Sequence, residues 1–137
     1  MIYWLKYLLD TNACIVYIRN SQSGVRRRLE LLPKSEIAVC SIVKAEMFYG
    51  SMKSQSPEKS LAVQQKFFKQ FQSLPFDDKA ALIFGEIRAD LSAKGTPIGA
   101  YDLQIAAIAL ANNLTLVTHN TKEFNRIGNL KIEDWEI

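Results

Sequence analysis

The chain has 137 residues, 48% of them hydrophobic and 23% charged, with a net charge of +3. That size and balance suit a single globular domain (residues 1–137) that buries a real core. No apolar run, residues 105–111 included, is long enough to span a bilayer, and the opening Met1-Ile2-Tyr3-Trp4-Leu5-Lys6 lacks the parts of a signal peptide, so the expectation is a cytoplasmic protein with no membrane partner.

Residues 3–9 are aromatic and aliphatic and read as a first buried strand ending at Asp10. Thr11 and Asn12 then offer a cap for a short helix over 13–18. A second helix over 25–32 stops at Pro33 and carries Arg26, Arg27 and Arg28, the one dense basic patch. On a helix, three adjacent arginines spread around the circumference; they form a solvated face or, in the sharper reading, a phosphate-contacting one. Residues 37–40 form a short strand, and Ser41 is placed to cap a helix running to about Tyr49, with Gly50 after it.

Residues 57–71 are the clearest amphipathic helix, with Leu61, Val63, Phe67, Phe68 and Phe71 at helical spacing. A brief extended piece, 74–76, precedes a long helix capped by Asp77 or Asp78 and closed after Lys94 by Gly95 and Pro97. The helix over 103–111 is apolar nearly all round and is expected to be central. A strand over 114–118 and a last short one over 130–132 complete the chain. Strands separated by helices imply an α/β fold: a mainly parallel sheet of four or five short strands with helices on both faces. Cys14 and Cys40, both in apolar contexts, form neither a disulfide framework nor a metal knuckle and read as buried thiols.

In such sheets, ligands bind beyond the carboxyl ends of the strands. Asp10 ends the first strand, Glu46 lies about a turn and a half into the helix after the second, Asp102 opens the central helix, and Asn120 follows the fourth strand, so all four fall on one edge. Singly, Asp10 and Asp102 could be helix caps, Glu46 half of a salt bridge, and Asn120 a turn residue. Together, three carboxylates in apolar surroundings repel one another, and a hard divalent cation such as Mg²⁺ or Mn²⁺ is the usual remedy. Asn120 could hold a water but not act as a base, and the hydroxyls of Thr11 and Thr118 could orient the carboxylates. A single histidine, His119, leaves no paired-histidine ribonuclease mechanism and no His-rich zinc site; Gly-rich phosphate loops and Gly-x-Ser-x-Gly elbows are absent as well.

The runs Leu8-Leu9-Asp10-Thr11-Asn12, Ala45-Glu46-Met47-Phe48-Tyr49-Gly50 and Gly95-Thr96-Pro97-Ile98-Gly99-Ala100-Tyr101-Asp102-Leu103-Gln104-Ile105-Ala106 resemble the PIN-domain ribonucleases. The tail Val117-Thr118-His119-Asn120-Thr121-Lys122-Glu123-Phe124 with Ile132-Glu133-Asp134-Trp135 is similar to the VapC toxins of bacterial toxin–antitoxin modules. That resemblance covers the whole chain in order. It implies a PIN-like fold and a metal-dependent endoribonuclease with Asp10, Glu46 and Asp102 as ligands of Mg²⁺ or Mn²⁺ and Thr11, Asn12 and Thr118 around them. It implies single-stranded RNA as substrate, often tRNA and in one subgroup the anticodon loop of initiator tRNA. It also implies a homodimer, and a heterotetramer or larger assembly with a VapB antitoxin whose C-terminal segment covers the groove. Many members carry a fourth acid where this chain has Asn120.

For RNA contacts, Lys6, Lys44, Lys122 and Arg126 are candidates for phosphates and Tyr101 and Phe48 for stacked bases. Two rivals stay open at this point. A haloacid-dehalogenase-like phosphatase also places an Asp after its first strand but needs an acid two residues on, where Asn12 stands. A PIN module that binds RNA or protein without catalysis is the other.

Overall fold

The computed structural model describes residues 4–136. Its elements are β1 (Tyr7–Leu9), α1 (Thr11–Arg19), α2 (Gly24–Glu30), a 3-10 turn (Lys34–Glu36), β2 (Ile37–Cys40), α3 (Ser41–Met52), α4 (Pro57–Phe68), β3 (Gln72–Leu74), α5 (Asp78–Ala93), α6 (Ala100–Ala111), β4 (Thr115–Val117), α7 (Thr121–Phe124) and β5 (Ile132–Glu133). The five strands form one sheet in the order β3-β2-β1-β4-β5, and every pairing is parallel. The chain moves outward from β1 to β3, then crosses back over to β4 and β5. With right-handed crossovers, that reversal puts helices on both faces and makes the gap beyond β1 and β4 the switch point.

The centre of the sheet is dry. Leu8, Leu9, Leu116, Val117 and all four residues of β2 are buried, as parallel strands covered on both sides must be. Helix α6 buries Leu103, Ile105, Ala106, Ala107, Ile108 and Ala109, which explains its near-uniform apolarity. Cys14 and Cys40 are buried free thiols.

Several boundaries differ from the sequence expectation, each for a local physical reason. Strand β1 begins at Tyr7; the expected start at residue 3 lies outside the described residues. Asp10, rather than Thr11 or Asn12, caps α1, its side chain accepting from the Ala13 N–H at 2.8 Å. Ser41 is the first residue of α3, and Cys40 holds the cap position without a side-chain bond. Gly50 lies inside α3, which continues to Met52; there buried Ser51 hydrogen-bonds Ser60 of α4 at 2.7 Å. Helix α4 stops at Phe68, yet Phe71 still packs on Phe67 at 5.1 Å, so the aromatic spacing outlasts the helix. Strand β3 falls at Gln72–Leu74 instead of 74–76, since Pro75 has no N–H to extend the ladder.

Two helices end in the same way. After α5, Thr96 N–H bonds Leu91 C=O at 3.0 Å and Gly95 N–H bonds Ser92 C=O at 3.1 Å, with Gly95 at φ +69°. After α6, Leu114 bonds Ala109 and Asn113 bonds Leu110, with Asn113 at φ 55°. These Schellman closures aim the chain into the segment before Asp102 and into β4. Gly95→Ala should lower stability by about 1 kcal/mol, because a Cβ in the left-handed region is strained even where space is open. Chemical denaturation checks this, and an unchanged midpoint would contradict it.

Candidate active site

Asp10 emerges from the buried end of β1. Its N–H bonds Val117 C=O of β4 at 3.1 Å, which fixes it beside the end of the neighbouring strand. Only 5% of it is exposed. Its carboxylate takes the Ala13 N–H and a hydrogen bond from buried Thr118. Burial still dominates, and with the charges of Glu136 and Glu46 nearby it pushes the Asp10 pKa up to about 6.

Asp102 is the third residue of α6, since the helix begins at Ala100, three residues before the sequence expectation. The positive end of the helix dipole favours a carboxylate there. Burial nevertheless raises its pKa to about 7, helped by a hydrogen bond and charge from Glu123 and by the charges of Asp10 and Glu46. Asp10, Asp102 and Asn120 line one cavity of about 390 Å³ together with Thr11, Asn12, Ile15 and Phe124.

Glu46, half-buried on α3, faces the adjoining groove between α1, α3 and α4. Thr11 lines both spaces and joins them: its hydroxyl donates to Glu46 Oε1 at 2.7 Å. Thr11→Val would leave that carboxylate without its orienting donor. We expect a 10- to 100-fold loss of divalent-cation affinity, the usual cost of removing a group that orients a ligand; calorimetric titration with Mn²⁺ checks it, and unaltered affinity would contradict it.

Asn120 starts α7 with no side-chain cap bond, and its N–H donates to the Thr118 hydroxyl at 3.0 Å. The acid the sequence reading missed is Glu123, one turn further along α7, whose carboxyl meets that of Asp102. A helical turn after Asn120 carries position 123 back to the same edge, a signal available in Asn120-Thr121-Lys122-Glu123 had the short helix been expected. Asn12 is exposed at the cavity rim.

The donor set fits a hard divalent ion. Asp10, Glu46, Asp102 and Glu123 offer oxygen alone, and none of them pairs with a Lys or Arg among the described residues. Burial, with a smaller part from neighbouring acids, raises the pKa values of Asp10 and Asp102, and a cation would offset both costs. No three of these carboxylates approach within 4.8 Å of one another, so shared waters would complete such a shell.

Other candidates have partners of their own within the fold. Lys6 precedes β1 at the opposite sheet edge and pairs with Glu36 at 3.5 Å. Phe48 packs edge-to-face on Phe68. Lys44 lies over the Phe68 ring. Arg126 donates to Pro97 C=O. Arg26 stacks on Tyr17 and donates to its C=O, Arg27 donates to Gln22 C=O, and Arg28 pairs with Glu133 and lies over Trp135. The arginine patch is thus engaged within the fold. Lys122 and Tyr101 remain exposed on the elements that carry Glu123 and Asp102.

The family model of the PIN domain matches residues 7–130. The chain is 44% identical over 131 residues to the tRNA(fMet)-specific endonuclease VapC of Salmonella typhimurium, covering 96% of this chain and 98% of that one. It is 43% identical to Ribonuclease VapC2 of Rickettsia felis, covering 95% and 98%. Among solved structures, the DNA-bound VapBC of Salmonella typhimurium superposes with a TM-score of 0.91 at 44% identity over 96% of this chain and 98% of that one. VapBC2 of Rickettsia felis bound to a promoter DNA fragment gives 0.89 at 42%, over 96% and 99%. A parallel sheet with an acidic switch point, matched along nearly its whole length by these relatives, identifies the chain as a member of the PIN-domain family, among its VapC ribonucleases.

Proposed function

We propose that this chain is a metal-dependent endoribonuclease, the toxin of a VapBC-type module, and that residues 1–137 act as one domain in the cytoplasm. The single observation that carries the metal dependence is the clustering of Asp10, Asp102 and Glu123, with Glu46 alongside, at a switch point where no Lys or Arg among the described residues pairs with them. Asp10 and Asp102 would hold Mg²⁺ or Mn²⁺, with Glu46 and Glu123 bound directly or through water. When bound, the ion would neutralise phosphate charge and make a water more acidic.

The chain's own groups do the rest. Thr118 and the start of α1 hold the Asp10 carboxylate in one orientation, and Thr11 holds that of Glu46. Glu46 or Asp102 takes the proton from the attacking water, both being carboxylates within the acidic cluster. Asn120 at the cavity rim can position a water or a phosphate oxygen through its amide. Lys122 would contact phosphates and Tyr101 would stack on a splayed base.

The similarity to a tRNA(fMet)-specific endonuclease supports initiator tRNA as substrate, and the family resemblance implies the anticodon loop as the place of the cut. The groove between α1, α3 and α4, about 470 Å³ and lined by Ile15, Ile18, Met47 and Val63 beside Arg19 and Lys53, supports docking of a VapB-type antitoxin segment. Exposed Tyr49 and Met52 on α3 suit a homodimer contact, and with the antitoxin a heterotetramer or larger assembly.

The test is to incubate the protein with total cellular RNA and Mg²⁺ and map every new end by sequencing. One dominant cut in the anticodon loop of initiator tRNA is expected. A dominant cut in another RNA, or breakdown without site preference, would overturn the substrate assignment.

A further inference from the structure

Beyond the acidic cavity, His119, Asp134 and Glu136 bring their ligand atoms together, all within 4.8 Å of one another. His119 follows β4 and the two acids follow β5, the adjacent parallel strand, with Val117 in register with Glu133. The Thr118 N–H to Glu133 C=O bond, 2.9 Å, continues that pairing past the strand ends. His119 Nδ1 lies 2.9 Å from Asp134 Oδ2 and 3.8 Å from Glu136 Oε2. An ion with bonds of about 2.0–2.2 Å spaces its donors by roughly 3–3.5 Å, so small side-chain adjustments would complete the shell.

A second observation also points to a cation. The side chains of Asp134 and Glu136 are only 15% and 23% exposed, and neither meets a Lys or Arg among the described residues. Two largely covered carboxylates whose one basic neighbour is a single imidazole are short of positive charge. The Glu136 N–H holds Asp134 Oδ1 at 2.9 Å, which leaves Oδ2 turned to the imidazole.

We propose that His119, Asp134 and Glu136 form a divalent-metal site of one nitrogen and two oxygen donors, suited to a borderline ion such as Zn²⁺ and adjoining the acids around Asp10 with a ligand set of its own. Three protein ligands leave a position open for water. Occupancy would tie the β4–α7 loop, which carries Asn120 and leads to Glu123, to the C-terminal tail. It would also neutralise Glu136, whose charge reaches Asp10.

Because His119 is the one histidine of the chain, its imidazole nitrogens report binding without assignment ambiguity. The full-length protein is titrated with Zn²⁺ alone while the ¹⁵N imidazole resonances are followed by NMR, and the amide spectrum reports folding. The expected result is movement of the Nδ1 resonance to a metal-bound position at about one equivalent beyond any taken by the all-oxygen acids. Glu136→Gln, and Asp134→Asn with Glu136→Gln, should each weaken that transition at least 10-fold in folded protein. An Nδ1 resonance that never reaches a metal-bound position, or a transition equally strong in the variants, would overturn the site.

Discussion

Asp10→Asn is expected to lower RNA cleavage on the order of 10³-fold or more while leaving the fold intact and its stability unchanged or raised. The loss follows from removing one anionic ligand: charge stabilisation by a bound metal is worth several kcal/mol, and about 4 kcal/mol corresponds to 10³ in rate. The retained stability has a separate cause. Asp10 is buried, its pKa is raised to about 6, and its charge is costly to the folded state without a cation. An Asn side chain can still accept the Ala13 N–H that caps α1, and Asn and Asp cap about equally well. Initial rates on labelled tRNA, paired with thermal denaturation of the same preparations, separate the two effects. A variant that cleaves as fast as wild type, or that loses activity only because it unfolds, would remove Asp10 from the chemistry.

The second large effect concerns pH. Chelator-treated protein should lose stability as pH rises from about 4 to 7, and Mn²⁺ should restore it. Asp10 and Asp102 both have folded pKa values, about 6 and about 7, above the ordinary 3.8. Below pH 4 both states hold the proton, so the favourable contribution is fully present. Between there and the folded values the native state binds more protons than the unfolded one, and the slope of stability with pH is negative. For buried Asp10, a rise of roughly two pH units corresponds to about 3 kcal/mol. Half-exposed Asp102 adds less, because water screens it. His119, raised above its ordinary pKa by Asp134, adds a contribution of the same sign. A divalent ion at about 100 times its dissociation constant would return about 2.7 kcal/mol. Calorimetry across pH 4–7 checks this: Asp10→Asn should flatten the slope, and a wild type whose melting temperature climbs through that window would contradict the account.

Much of this was legible in the sequence wherever one residue's chemistry fixed its surroundings. Asp10 after a buried strand and Asp102 at the head of an all-apolar helix needed only strand and helix periodicity to be brought to the same sheet edge. Glu46 shares a helical face with Ile42, Val43 and Tyr49 and so was expected to point at the core side, but it is half-buried at a groove; its contact with Thr11 was anticipated only in general terms. What periodicity cannot supply is where a helix of four residues begins. Helix α7 was invisible for that reason, so attention stayed on Asn120 and passed over Glu123. The same limit shifted β3, where the missing N–H of Pro75 decides the boundary, and stretched α4 to Phe71, whose ring packs in the core from a turn. The arginine patch was legible only in part: Arg27 and Arg28 are exposed, as on a solvated face, but their contacts were not readable from charge. Its aromatic and carbonyl partners, Tyr17 and Trp135, become neighbours only through tertiary packing.

The chemistry of the cut ends tests the central claim most directly. Wild-type protein with Mg²⁺ or Mn²⁺ should leave 5′-phosphate and 3′-hydroxyl termini, and EDTA should abolish the reaction. Termini bearing 2′,3′-cyclic phosphate, or cleavage that continues in EDTA, would mean attack by the RNA's own hydroxyl and would contradict a carboxylate-held metal ion.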